Sequence, residues 1–397
     1  MLSADTTSAP PAALEATWSS FWPLDPSYDF LNHGSFGSVP RPVQAAQLRY
    51  RDLVEARPIE VLGRQCRSLL TRARERAARF VGADPNGLGF VTNATEGVNS
   101  VLRSFAFRPG DVLLTTNHVY NAVKQAMTAI ARKAGAEVRT VDVPLPLRSP
   151  AQVTSALIGA MDGRTRLVIV DHITSPTAVV FPVADIARAC RERGIACLVD
   201  GAHAPGMLDL RVEEIGATAY TGNFHKWVCA PKGCAFLWAA QAIRGEVHPA
   251  TVSHFLDQGF DVEFDWQGTR DISAWLAIED AIGLWEPLGW KTLREHNHAM
   301  AAWVQRLWCE RWGVQPCTPL DGSMIGSMAA VPLPDGFAER YGKAEDLQAI
   351  LFGEHRIEIP IVDWGGRWHA RASCQAYNRP EQYERLADLI AKLREQL

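Results

Sequence analysis

"RLVIVDHITSPTAVVFPVADIARACRERGIACLVDGAH", residues 166–203, holds two near-continuous apolar runs, 166–171 and 196–203, on either side of a helical stretch at 183–193. An apolar run without polar alternation is a strand buried on both faces, the condition of a parallel sheet whose crossovers are helices. The same unit repeats outward. GFVT (89–92) precedes a helical stretch at 99–105, DVLLTT (111–116) precedes another at 122–133, and AYTG (219–222) and CAFLWA (234–239) come after. The fold class is therefore α/β, a mostly parallel sheet flanked by helices. In such sheets ligands bind beyond the carboxyl ends of the strands, so the polar residues that close each run are the ones to collect.

After about Ser273 the pattern changes to long helical segments at 274–284 and 291–311, then to alternating strands and helices ending at 386–397. This predicts a smaller α+β C-terminal domain over 273–397, joined by a connecting helix to a large domain over 19–272. Residues 1–18, rich in Ser, Thr, Ala and Pro, read as a mobile arm. The first residues of the large domain are expected near the active site and the small domain.

The chain of 397 residues is 47% hydrophobic and 21% charged, an ordinary globular composition. Forty basic against forty-four acidic residues leave a net charge of −4, which offers no electrostatic footprint for nucleic acid or an anionic membrane. No apolar stretch approaches the ~18 residues of a membrane span, and the first residues lack a secretory signal, so a soluble cytoplasmic protein is expected. The eight cysteines form no C-x-x-C pair and read as reduced, packed thiols, with no metal site. The arginines of 64–79 read as a solvated helix face.

The post-strand residues are Asn93-Ala-Thr-Glu-Gly97, Asn117-His-Val-Tyr120, Asp171-His-Ile-Thr-Ser175, Asp200-Gly-Ala-His203 and Asn223-Phe-His-Lys226. Lys226 ends an apolar run. There it either snorkels to the surface or is buried, and burial would lower its pKa and leave an amine able to attack a carbonyl. The stretch from Thr95 through Glu96 to Gly97 either caps a helix or offers that helix N-terminus to a phosphate, with Asn223 and His225 donating from the other side. Asp200 closes the run ACLV, where a carboxylate either caps the next turn or meets a cation such as a protonated pyridine nitrogen. Tyr120 or His118 could stack on a planar ring.

Asp200-Gly-Ala-His203, His225-Lys226-Trp227 and Pro231-Lys-Gly233, in that order and spacing, resemble the fold-type I, class V aminotransferase-like enzymes that use pyridoxal 5′-phosphate. Within that superfamily Leu31-Asn-His-Gly-Ser35, Asp200-Gly-Ala-His-Ala-Pro-Gly206 and Gly268-Thr-Arg-Asp271 look most like the isopenicillin N epimerase group and its C–S lyase relatives. The resemblance implies a Schiff base (internal aldimine) on Lys226, an Asp200 that keeps the pyridine nitrogen protonated, and a His203 at the ring's phenolic oxygen. It further implies a phosphate site from Thr95, Asn223, His225 and the backbone of Glu96 and Gly97. Tyr120 and Ser175 are expected in the same cofactor set. Thr269 is similar to a threonine that reaches the neighbour's phosphate across a homodimer interface. Arg371 would take the α-carboxylate of an amino-acid substrate, with Asn32 and His33 on the substrate side.

In such an enzyme the protein selects which bond at Cα breaks and how the resulting carbanion is quenched. The resemblance implies that Lys226 would remove the Cα proton to give a quinonoid. Reprotonation from the opposite face is epimerisation and needs a second acid or base, for which Tyr120, His118 and His33 are candidates. Loss of a β-substituent is C–S lysis. Desulfuration needs a protein thiolate on a loop shortly before the carboxylate arginine, but residues 342–370 contain no cysteine and Cys374 comes after Arg371. Epimerisation ranks first and C–S β-lysis a close second, ahead of desulfuration, transamination and a non-catalytic cofactor-binding role. The loop Asp363-Trp-Gly-Gly-Arg-Trp368 either closes over a substrate side chain or serves packing.

Overall fold

The structure, a computed structural model, describes residues 9–396. Its centre is a seven-stranded sheet of β1 (Leu88–Val91), β2 (Val112–Thr116), β3 (Glu137–Val141), β4 (Thr165–Asp171), β5 (Ala196–Asp200), β6 (Ala219–Asn223) and β7 (Ala235–Ala239). The spatial order is β1-β7-β6-β5-β4-β2-β3, and only β7 runs against the others. Alternate side chains of one strand enter two different cores. Val168 and Val170 of β4 join the core beneath one face, whereas Leu167 and Ile169 join that beneath the other. Burial on both faces is the reason these strands carry no polar alternation.

The edge strand β3, EVRTV, is not among the expected runs. Its residues are only half buried or exposed, so its sequence carries charge where a central strand would carry valine. Helices α1 (Arg41–Ala56), α2 (Cys66–Val81), α3 (Ala94–Ser104), α4 (Asn121–Ala134) and α5 (Val183–Glu192) lie around this unit. Helix α3 begins five residues before the expected 99, because Asn93 caps it by accepting the Glu96 N–H at 2.9 Å. The arginine-rich helix α2 is not wholly a solvated face. Arg74 is buried and pairs with the buried Asp265 at 2.5 Å.

A second core holds Leu31 together with residues of 300–390. It is built on the antiparallel sheet of β8 (Met328–Pro332), β9 (Ile361–Trp364) and β10 (Arg367–Ser373), in the order β9-β10-β8. Against it pack α6 (Trp290–Trp312) and α7 (Pro380–Arg394), where Trp308 and Trp312 stack at 4.9 Å and donate their indole N–H groups to carbonyls of α7. The expected segment 274–284 is two short helices, Ser273–Leu276 and Ile278–Gly283. Of the expected arm, residues 1–8 lie outside the described residues, while Leu14 and Trp18 pack with Trp22 and Trp285.

The N-terminal segment ties the two cores together. Asp29–Phe30 pairs in parallel with Ile357–Glu358, and the chain then passes under the Lys226 turn. Gly37 sits there at φ 67°, where any side chain would run into the backbone of His225 and Lys226. The fit brings Ser35 and Phe36 to the same cavity as Lys226.

Candidate active site

A cavity of about 500 Å³ opens at the carboxyl ends of β1, β2, β4, β5 and β6. Of the residues expected from the sequence, Thr95, Tyr120, Ser175, Asp200, His203, Asn223, His225 and Lys226 line it. Glu96, Gly97, His118, Asn32, His33, Thr269 and Arg371 do not. Asp171, Ile173, Ser35, Phe36 and Lys232 line it without having been assigned to it.

Lys226 does not snorkel. Its amine is held inside, 3.1 Å from Nε2 of the buried His203. Burial, reinforced by the Arg371 charge and opposed by Asp200, lowers its pKa to about 7. The Trp227 indole N–H points at Nδ1 of His203 from 3.5 Å, a long contact that favours the tautomer with its proton on Nε2. His203 then donates to Lys226, and only a neutral amine can accept. Burial first, with Lys226 and Arg371 in support, keeps His203 uncharged by pushing its pKa well down.

The end of the cavity at α3 is rich in donors. Asn223 accepts the Ala94 N–H on Oδ1 at 2.8 Å, which leaves its Nδ2 as the donor end. The expected backbone donors need correction: Glu96 N–H is taken by the Asn93 side chain and Gly97 N–H by the Asn93 carbonyl at 3.3 Å. Thr95 supplies the open N–H of this turn together with its hydroxyl. Gly97 matters for packing, since a Cβ there would strike Thr221 on β6. His225 bonds the Cys234 carbonyl through Nδ1 at 3.3 Å, and burial lowers its pKa to about 4.

Behind Ser35 and Ser175 at the opposite end, Arg371 of β10 is buried, and no carboxylate among the described residues pairs with it. It donates through Nη1 to the carbonyl and hydroxyl of Ser175 and through Nη2 to the Ser35 hydroxyl at 3.1 Å, while its Nε has no partner. Burial lowers its pKa only to about 10, so it stays charged. The unpartnered Nε–H and the Nη2 group beside it belong to the edge of a guanidinium that can take a carboxylate bidentately. Asn32 acts one step back: it accepts the Ser35 hydroxyl at 2.6 Å and donates to Glu358 at 2.9 Å.

Two expected histidines are spent on the fold. His118 is fully buried, with Nδ1 on Thr177 and Nε2 on the Val143 carbonyl, both at 2.7 Å, and it packs on Trp364 at 4.5 Å. It does not line the cavity. His33 likewise bonds the Tyr377 hydroxyl and the Lys226 carbonyl, each at 3.0 Å. Burial lowers their pKa values to about 4 and about 3. Tyr120, half exposed before α4, is the remaining candidate on the cavity wall. The 363–368 loop serves packing: Trp364 donates to the Asn117 carbonyl at 3.3 Å and Trp368 is buried in the second core.

Comparison with known proteins sets this geometry among relatives. A family model described as aminotransferase class-V matches residues 37–386. Isopenicillin N epimerase of Streptomyces clavuligerus is 34% identical over 387 residues, covering 93% of this chain and 96% of that protein. A putative L-cysteine desulfhydrase of Oryza sativa subsp. japonica is 33% identical over 399 residues, covering 91% and 82%. Among solved structures, the apo cysteine desulfurase of Thermococcus onnurineus NA1 superposes with a TM-score of 0.79 at 19% identity, covering 95% of this chain and 97% of that one.

Proposed function

Since the chain belongs to the aminotransferase class-V family and is a pyridoxal-phosphate-dependent enzyme, we propose that it removes the Cα proton of an α-amino acid with Lys226 and expels a β-sulfur substituent. That makes it a C–S β-lyase. The observation that carries the amino-acid substrate is Arg371, a buried cation with an unpaired Nε and, among the described residues, no carboxylate paired with it. A buried charge of this kind is costly until an anion reaches it.

The residues fit the cofactor. Thr95, Asn223 and His225 would hold its phosphate, Asp200 its pyridine nitrogen and His203 its phenolic oxygen through Nε2–H. When bound, pyridoxal phosphate supplies an electron sink for negative charge at Cα. Lys226 Nζ, buried and with its pKa lowered to about 7, takes the Cα proton as general base in its uncharged form. Arg371 holds the α-carboxylate through that edge of its guanidinium, and the Ser35 and Ser175 hydroxyls keep the group in place. In the elimination the Cα–H electrons form the Cα–Cβ double bond as the Cβ–S bond breaks. The thiolate leaves, and the released enamine hydrolyses to pyruvate and ammonia.

Elimination needs a base on one face alone, and Lys226 is that base. Epimerisation, ranked first from the sequence, needs a second group opposite, and two of its three candidates have both ring nitrogens committed elsewhere. It survives as a second reading because Tyr120 lines the cavity. Desulfuration gains no support, because all eight cysteines are buried and none lines the cavity. Thr269 lines a recess that shares Thr92, Lys232 and Gly233 with the main cavity wall, and a homodimer in which Thr269 reaches the partner's phosphate site is part of this reading.

Pyruvate release from L-cysteine and S-substituted cysteines, measured for wild type, Lys226→Ala and Arg371→Ala, tests the reading. Pyruvate from wild type alone is expected. Full pyruvate release by Lys226→Ala would sink the assignment of the base.

A further inference from the structure

Asp171 closes β4 as Asp200 closes β5, and the two are register partners in adjacent parallel strands. Their side chains therefore leave the sheet on the same face, about 4.8 Å apart at the backbone. Both carboxyls are buried and both line the cavity. Asp200 accepts the Ala202 N–H at 3.0 Å, whereas Oδ2 of Asp171 is buried without any partner. Two full charges in this position would require two cations. Lys226 beside Asp200 has its pKa lowered to about 7 and is uncharged at pH 8, and Asp171 meets only backbone N–H groups, those of Tyr120 and its own.

We propose that Asp171 and Asp200 form a carboxyl pair holding one proton, carried by Asp171, and that Asp171 is a positioning residue whose hydroxyl fixes the Asp200 carboxylate towards the cofactor's ring nitrogen. A neutral acid beside a carboxylate gives the floor of the site a single negative charge, which one pyridinium N–H neutralises. The other groups around the pair do not compete for this proton. Tyr220 on β6 is kept neutral by burial and by Asp200, and its hydroxyl bonds Nδ1 of His172 at 2.8 Å, itself an uncharged ring. Burial pushes the pKa of both carboxyls up, and that of Asp171 further through the Asp200 charge, in agreement with a shared proton. The inference rests on the proposed placement of the ring nitrogen at Asp200 only for the direction in which Asp200 points.

Infrared difference spectroscopy of the apoprotein in H₂O and D₂O tests the pair. At pH 8, above the range where Asp265, raised to about 6, titrates, wild type is expected to show a protonated-carboxyl band that shifts in D₂O. The band should vanish in Asp171→Asn and persist in Asp200→Asn. A band that persists in Asp171→Asn and vanishes in Asp200→Asn would put the proton on the wrong residue and overturn the assignment. No protonated carboxyl in wild type would overturn the pair, a result that needs no variant to fold. Pyridoxal phosphate titrated into Asp200→Asn checks the ring-nitrogen placement separately. Unchanged affinity and absorbance there would remove that placement while leaving the proton pair intact.

Discussion

Nζ of Lys226 lies 3.1 Å from Nε2 of His203, and the tautomer that Trp227 favours in that imidazole makes the lysine the acceptor. Burial, with the Arg371 charge, brings the lysine's pKa to about 7, so the free amine is well populated at neutral pH and predominates above it. The rate at which apoprotein captures pyridoxal phosphate, read from absorbance, should therefore rise as pH increases through about 7, where Lys226 loses its proton. An ordinary lysine would give a rise near ~10.4. Lys226→Ala should lower turnover by at least about 100-fold, the lower bound for a general base.

Arg371 is aimed by Ser175 and Ser35. Arg371→Lys keeps the charge and loses the fork, so kcat/KM should fall by about 10- to 100-fold, the equivalent of one or two charge-assisted hydrogen bonds. Ser35→Ala should act in the same direction and more weakly, chiefly on KM. Asn32→Ala should resemble Ser35→Ala, because Asn32 reaches the arginine only through the Ser35 hydroxyl.

Buried neutral histidines make the fold sensitive to acid. His118 has a folded pKa of about 4 against 6.5 unfolded, so between these values the unfolded chain binds a proton that the folded one does not. Its contribution is complete above 6.5 and is lost as pH falls towards 4. Chemical denaturation at pH 6.5 and pH 5 should show His118→Gln losing about 2 kcal/mol less than wild type across that step. Equal losses would mean that His118 is charged in the fold.

Gly97 lets α3 approach β6. Gly97→Ala should destabilise by about 1–3 kcal/mol, since its methyl group meets Thr221. Thr221→Ala removes that hydroxyl at the cost of its hydrogen bond to the Phe236 carbonyl, 2.8 Å long. In a double-mutant cycle the pair should therefore cost less than the sum of the singles. Additive losses would show that the close approach is not what requires glycine.

Strands such as RLVIVD and ACLVD are uniformly apolar because both faces are covered, so their ends, and with them Asp200, His203 and Lys226, are legible directly in the chain. EVRTV is invisible as a strand because an edge needs no such run. His33 and His118 look like free imidazoles in the sequence, since their partners Tyr377 and Val143 are distant or unremarkable there. Ser35 and Ser175 cannot be linked to Arg371 for the same reason: residues 336 and 196 positions away meet only after the N-terminal segment has crossed to the second core. Asp171 stands in the right stretch, but its pairing with Asp200 is a matter of strand register.

One incubation tests the central claim: the cofactor-loaded enzyme with L-cysteine and an S-substituted L-cysteine in D₂O, monitored together for pyruvate, released thiol and the configuration and deuterium content of recovered substrate. Elimination from a single base gives pyruvate and thiol in equal amounts, with recovered substrate still of the L configuration. Deuterated D-amino acid without pyruvate would contradict it, and would make Tyr120 the acid on the second face.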